Sequence, residues 1–163
     1  MKILAFMICA FLAFSTQSFC DEPPPSSTPE HIPYPNLVGR PELTIFRDLV
    51  IKAGLWDFFQ APGPYTLFAP NNSAFEKMDQ TKFTELQKPE HRGELIDFVN
   101  YHVIIGKYGS KNLKNQAYRT VNGKNVIVHI QDGHITVNGA NVIVKDLEGP
   151  NGIGYIIDQP LIP

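Results

Sequence analysis

The stretch "YTLFAPNNSAF", residues 65–75, decides how this chain is read. Tyr65 to Ala69 is short, apolar and bounded by turn residues, which predicts a buried strand. Pro70 has no backbone N–H to give to a sheet ladder, so the strand should stop there. Asn71, Asn72 and Ser73 are all good helix N-cap residues, and Ser73 with Glu76 has the spacing of a capping box. Ala74, Phe75 and Met78 then place apolar atoms on one helical face. The amides therefore read as a joint where a buried strand turns into a helix, with Phe75 in the core. Asn71-Asn72-Ser73 is also an N-glycosylation sequon, which would require an exposed Asn71 and a suitable host.

Upstream of this joint, "PELTIFRDLVIKAGLWDFF" carries Leu43, Phe46, Leu49, Val50 and Ala53 at helical spacing. Pro41 suits the first turn of that helix, and Gly54 suits its end. Leu55 to Phe59 predicts a second short helix, and "APGP" at 61–64 a turn. Downstream, Thr81 to Val99 reads as more helix, restarted at Pro89. Phe83, Leu86, Leu95, Ile96 and Val99 are its core candidates. "YHVIIG" at 101–106 switches to strand, with Tyr101, Val103 and Ile105 on one buried face and His102 bonded beside the joint at Asn72.

The last third has a different texture. "YRTVNGKNVIVHIQDGHITVNGANVIVKDL" alternates β-branched runs with Asn122-Gly123, Asp132-Gly133 and Asn138-Gly139. Asx-Gly pairs favour the positive φ of tight hairpin turns, and their short spacing signals an antiparallel meander. Val126, Val128 and Ile130 share one face there, and Ile127 and His129 the other. "NGIGYIIDQPLIP" supplies one more strand. Helices first and mostly antiparallel strands after them make an α+β pattern in one domain over 37–163.

The N-terminus predicts export. Lys2, the apolar run "ILAFMICAFLAF" and then "STQSFC" have the form of a secretory signal peptide over residues 1–20. The run is short of the roughly 20 residues of a membrane span. Cys20 invites a lipoprotein reading, against which stands the bulky Phe19. Cys9 and Cys20 are the only cysteines, so the exported chain holds at most one and has no internal disulfide. Residues 21–36, "DEPPPSSTPEHIPYPN", contain six prolines and two serines and read as an extended linker.

Charge excludes more than it suggests. The chain has 14 basic and 16 acidic residues, with no basic run longer than a pair and no basic-aromatic stripe, so nucleic acid is not an expected partner. The histidines His31, His91, His102, His129 and His134 form no HExxH, and no carboxylate spacing suggests zinc. There is no GxSxG serine elbow, and "GPNGIG" does not fit a phosphate loop. Nothing calls for a cofactor.

Three separated blocks together resemble one family. "PYTLFAPNNSAF" is similar to the first signature block of fasciclin (FAS1) domains, "YHVIIG" to their Tyr-His segment, and "ITVNGANVIVKDLEGPNGIGYIIDQPLIP" to their second signature block. The resemblance covers about residues 36–163, as one copy of the domain, in a form similar to the bacterial members. It implies a β-sandwich or wedge of mostly antiparallel strands with helices packed alongside. It also implies an exported or surface adhesion module without a known active site. By the same resemblance, Tyr101-His102 and Asp146-Leu147 occupy positions associated with partner binding. Read as residues alone, both pairs suit structural roles equally well. The chain departs from the family pattern at Asn71, where Thr is common, at Ile105, where proline is common, and at Tyr155, which replaces a common histidine.

Three functions remain open on this reading. The first is a noncatalytic interaction module, assumed monomeric, for a cell-surface or matrix protein or carbohydrate. The second is a carrier of a small apolar ligand, which would need a cavity of about 300 Å³ or more. The third is an enzyme without a recognisable motif, and no enzymatic activity is expected.

Overall fold

The computed structural model describes residues 39–149 and 151–163. The expected signal peptide over 1–20 and linker over 21–36 lie outside the described residues.

A 3-10 turn at Pro41–Leu43 leads into helix α1, Thr44–Ala53. Its apolar positions face inward, with Phe46, Leu49, Val50 and Ala53 buried. Gly54 ends it in the left-handed conformation at φ 74°, where Gly54 N–H reaches Ile51 O and Leu55 N–H reaches Val50 O. That pair of bonds satisfies the last helical carbonyls, and glycine allows the geometry without a Cβ penalty. The short helix α2, Trp56–Gln60, comes next.

Strand β1, Tyr65–Pro70, is buried over nearly its whole length. It runs one residue further than the proline argument predicts. Pro70 still sits opposite Ile157, and Asn71 N–H takes up the next bond of the ladder, to Ile157 O at 3.1 Å. Three helices then cross one side of the sheet: α3 (Asn72–Glu76), α4 (Gln80–Leu86) and α5 (Arg92–Tyr101). Strands β2 (Val103–Ile105), β3 (Gln116–Arg119), β4 (Asn125–Gln131), β5 (His134–Val137), β6 (Ala140–Gly149) and β7 (Gly152–Ile157) complete the sheet.

The strand order is β2-β1-β7-β6-β5-β4-β3, antiparallel except where β1 lies parallel to β7. The two ends of that order come together. Ile104 bridges Thr120, and Val121 N–H donates to Val103 O at 2.9 Å. The expected wedge of mostly antiparallel strands thus takes the form of a seven-stranded sheet curled into a near-barrel, with helices packed on one side.

Alternation along the strands divides the core in two. On β1, Leu67 and Ala69 face the helices, and on β7 Ile156 does the same. Phe68, Ile153, Tyr155 and Ile157 face the barrel interior with Val126, Val128, Ile135 and Val137. Strand β4 alternates as expected, with Val126 and Val128 buried and Ile127 and His129 exposed. Two hairpin turns are of the primed kind. Asp132 and Gly133 have φ of 51° and 80°, and Asn138 and Gly139 have 47° and 86°, which matches the right-handed twist of the flanking strands.

The Tyr101–Ile105 expectation fails in part. Tyr101 is the last residue of α5 rather than a strand residue, and Ile105 is 60% exposed. The helix runs on because Tyr101 buries its ring from the helical position, so Val103 and Ile104 alone turn inward from β2.

Close backbone approach also constrains the sheet. A Cβ on Gly152 would lie 2.2 Å from Tyr65 O across the β1–β7 ladder. The atoms it would meet all belong to the Tyr65 backbone and cannot step aside. Gly152→Ala should therefore lower stability by about 3 kcal/mol, read as a fall in the urea midpoint. An unchanged midpoint would mean that the β1–β7 contact is looser than described.

Candidate functional site

The joint after β1 divides its work between two asparagines. Asn71 is the N-cap of α3, and its Oδ1 accepts from Ala74 N–H at 2.8 Å. The helix thus starts ahead of the Ser73 that a capping box with Glu76 would require, and Ser73 stands exposed within its first turn. Asn72 does something the local sequence does not announce. Its Oδ1 accepts from Ile45 N–H at 3.1 Å, and its Nδ2 donates to Pro41 O at 2.9 Å and Thr44 Oγ1 at 3.0 Å. Helix α1 has no side-chain cap of its own. The first turn of any helix leaves N–H groups without partners, and here a residue 27 positions away supplies one. Phe75 is 2% exposed and packs on Phe83 and Phe98.

Tyr101 and His102 lie beneath the surface, 6% and 0% exposed. The Tyr101 hydroxyl donates to Asn125 O at 3.0 Å and accepts from Asn138 Nδ2 at 2.8 Å, tying the end of α5 to β4 and to the β5–β6 turn. His102 does not bond at Asn72. Leu161 N–H points at its Nε2 from 3.0 Å, so Nε2 accepts and Nδ1–H donates to Phe98 O at 2.8 Å. The neutral ring, set against Phe46 and Phe98, thus joins α5 to the C-terminal segment. Burial pushes its pKa down from 6.5 to about 4, against the opposite pull of the Phe98 carbonyl. His102 thus presents no surface to a partner while this fold holds, and Tyr101 very little.

Asp146 and Leu147 are placed differently. Strand β6 shifts register between Val144 and Leu147, and Asp146 occupies that bulge at φ 59°. Its exposed carboxylate accepts from Ser110 N–H at 2.7 Å and from Ser110 Oγ, with the Tyr155 hydroxyl oxygen 3.4 Å away. Burial raises the Asp146 pKa, but the Ser110 bonds, with Tyr155 and Lys145 nearby, together outweigh it and leave the carboxyl below the usual range. Burial and then the Asp146 charge raise the Tyr155 phenol. That phenol donates to Tyr108 O at 2.7 Å, a role taken up where the family pattern has histidine. Leu147 is half-buried against the helix-side core. Ser110 was invisible in the sequence because it lies 36 positions from Asp146. The described bonds do not bring Asp146-Leu147 together with Tyr101-His102.

A groove of about 460 Å³ runs beside α4, α5 and the C-terminal residues. Lys82, Glu85, Glu94, Asp97 and Lys124 line it together with Met78, Leu86, Phe98, Ile162 and Pro163. The groove is large enough for a small ligand, but its lining is half charged and half apolar rather than the predominantly apolar wall of a carrier pocket. Among the described residues, no group of three or more His, Cys, Asp or Glu is placed to hold a metal ion. No helix there is long and apolar enough to cross a membrane.

The sequence model of the fasciclin domain matches residues 41–163. The chain belongs to the fasciclin domain family. Protein sll1483 of Synechocystis sp. is 32% identical over 114 residues, covering 70% of this chain and 63% of that protein. Human periostin is 30% identical over 124 residues, 75% of this chain and 15% of periostin. This fasciclin chain therefore spans less than two thirds of either relative. A solved FAS1 domain pair from the insect cell adhesion molecule Fasciclin I matches with a TM-score of 0.60 and 21% identity, over 78% of this chain and 49% of that one. That likeness shows the fold alone.

The geometry has two measurable outcomes. Asn72→Ala should destabilise the domain by about 1 to 3 kcal/mol in urea unfolding, because it leaves Ile45 N–H at the start of α1 without its acceptor and removes the bonds to Pro41 O and Thr44. An unaltered midpoint would show that α1 does not depend on it. The second outcome concerns pH. The unfolded ring binds a proton below about pH 6.5, and the folded ring only near pH 4. His102 therefore supports the fold fully above pH 6.5 and loses its contribution as pH falls towards 4. The loss approaches about 1.4 kcal/mol per pH unit, on the order of 3 kcal/mol in all. Urea unfolding from about pH 7 to pH 4 should show this slope, and His102→Gln should flatten it. Parallel profiles for the two proteins would remove His102 as its source.

Proposed function

We propose that this fasciclin domain is an exported, noncatalytic interaction module that binds a cell-surface or extracellular-matrix partner, protein or carbohydrate. The observation that supports it most is the Asp146 bulge on β6. A charged residue at positive φ is held in place by Ser110, on a strand whose outward Ile143 is 55% exposed. A stiff, exposed carboxylate on a strand that also exposes Ile143 suits recognition of another molecule, because little freedom is lost on binding. Membership of the fasciclin domain family, whose members are commonly adhesion-related, supports the same reading.

On this reading, Asp146 and Leu147 belong to the contact surface. Tyr101 and His102 act indirectly, by holding α5 against β4 and the C-terminal segment. Export rests on Lys2, the apolar run after it and Ser18 to Cys20.

Adhesion of cells and of matrix extracts to the immobilised exported chain tests this function. The exported product should begin between Phe19 and Asp21 by mass spectrometry. Asp146→Asn keeps a residue that tolerates positive φ and removes the charge. It should reduce attachment several-fold with at most a small fall in the unfolding midpoint from the weakened Ser110 bonds. Full attachment by that variant would overturn the assignment of Asp146, and no attachment by the unaltered chain would overturn the interaction reading itself.

A further inference from the structure

We propose that the outer face of the β4–β5 hairpin is a two-imidazole site for a divalent transition-metal cation, with Zn²⁺ as the expected occupant and His129 and His134 as its ligands. The two residues flank the Asp132-Gly133 turn, one on each strand. Buried Val126 and Val128 fix which face of β4 points inward, and buried Ile135 and Val137 do so for β5. His129 and His134 fall on the opposite face and are exposed.

The register brings them together. His129 lies opposite Thr136, and His134 lies opposite Gln131. His134 is therefore one diagonal step from His129 on the same face, with Cβ atoms about 7 Å apart. Two imidazoles leaning together from such positions can share one ion at the usual Zn–N length of about 2.0 to 2.1 Å. The primed turn at Asp132 and Gly133 locks this register. Strands β3 and β6 flank the hairpin on either side and stiffen it further.

The other described histidines are already committed. His102 uses both ring nitrogens inside the core, and His91 Nδ1 pairs with Glu94 at 3.0 Å. Outside the strand ladder, the rings of His129 and His134 enter no hydrogen bond or ion pair among the described residues, so all four ring nitrogens are open to a ligand. Neutral imidazole selects zinc, copper and nickel, whereas magnesium and calcium require oxygen donors. No third His, Cys, Asp or Glu ligand is grouped with them among the described residues, so water fills the remaining positions. The site is accordingly weaker than a closed four-ligand zinc centre.

Calorimetric titration of the full chain with zinc chloride, in a buffer that does not chelate, tests the proposal. The unaltered chain should bind Zn²⁺ and show no response to Mg²⁺. His129→Gln and His134→Gln should each weaken the Zn²⁺ affinity by about tenfold or more, since the second imidazole acts at high effective concentration. Both positions are exposed, so the unfolding midpoint without metal should stay the same. His91→Gln should leave Zn²⁺ binding unaltered. His31, Cys9 and Cys20 are common to all these proteins and cannot create a difference between them. Equal affinity in all variants, loss in only one of the two hairpin variants, or no Zn²⁺ binding at millimolar metal would each overturn the two-imidazole site.

Discussion

The fold depends on the pairing of β1 with β7. Strand β1 takes a partner on each edge, β2 on one side and β7 on the other. It also buries both faces, Leu67 and Ala69 against the helices and Phe68 inside the barrel. A backbone with no access to water must find every hydrogen bond inside the protein. The parallel ladder from Tyr65 to Pro70 does this, and it fixes where the helix layer starts. The joint at Asn71 continues the ladder, and Asn72 reaches from its end to cap α1. The helices are thereby anchored to the most deeply buried strand.

His102 secures the same centre from the opposite direction. Its carbonyl accepts from Phe68 N–H at 2.9 Å, so its backbone completes β1 while its ring holds the C-terminal segment. Asn72, Tyr101 and His102 come from the blocks that make the family recognisable, and all three are spent on joining elements. Strong family signatures of this kind report how the chain is assembled. The surface that meets a partner has to be sought elsewhere, on the bulge at Asp146 and on the outward faces of the strands.

Much of this was legible in the sequence where the cause is local. The helix before Gly54 arises from apolar spacing and a left-handed cap. The β4 alternation and the Asp132-Gly133 and Asn138-Gly139 turns arise from period-two burial and the φ that these turns demand. The illegible parts are those decided at a distance. Nothing near Asn72 shows that its partner is Ile45, and nothing near His102 shows Leu161. The helix could have ended before Tyr101, but the ring finds its bonds at Asn125 and Asn138 and keeps that residue helical. The candidate site was legible only as positions in a family pattern. Burial removed Tyr101 and His102 from its surface, and the hold of Ser110 on Asp146 emerged only from the folded chain.

The order of synthesis gives the β1–β7 ladder a further consequence. Strand β1 begins at Tyr65, and its parallel partner begins only at Gly152. A nascent chain carries β1 with one edge and an apolar face uncovered while β3 to β6 are still being made. Non-local pairing of this kind slows folding, because a long loop must close before its contacts repay the lost freedom. An uncovered apolar strand is also a template for pairing with other chains. A product that stops short of residue 152 would keep all its helices and most of its hairpins, yet present the sticky edge of β1 to its neighbours. The arrival of β7 is therefore the step that closes the exposed edge of β1.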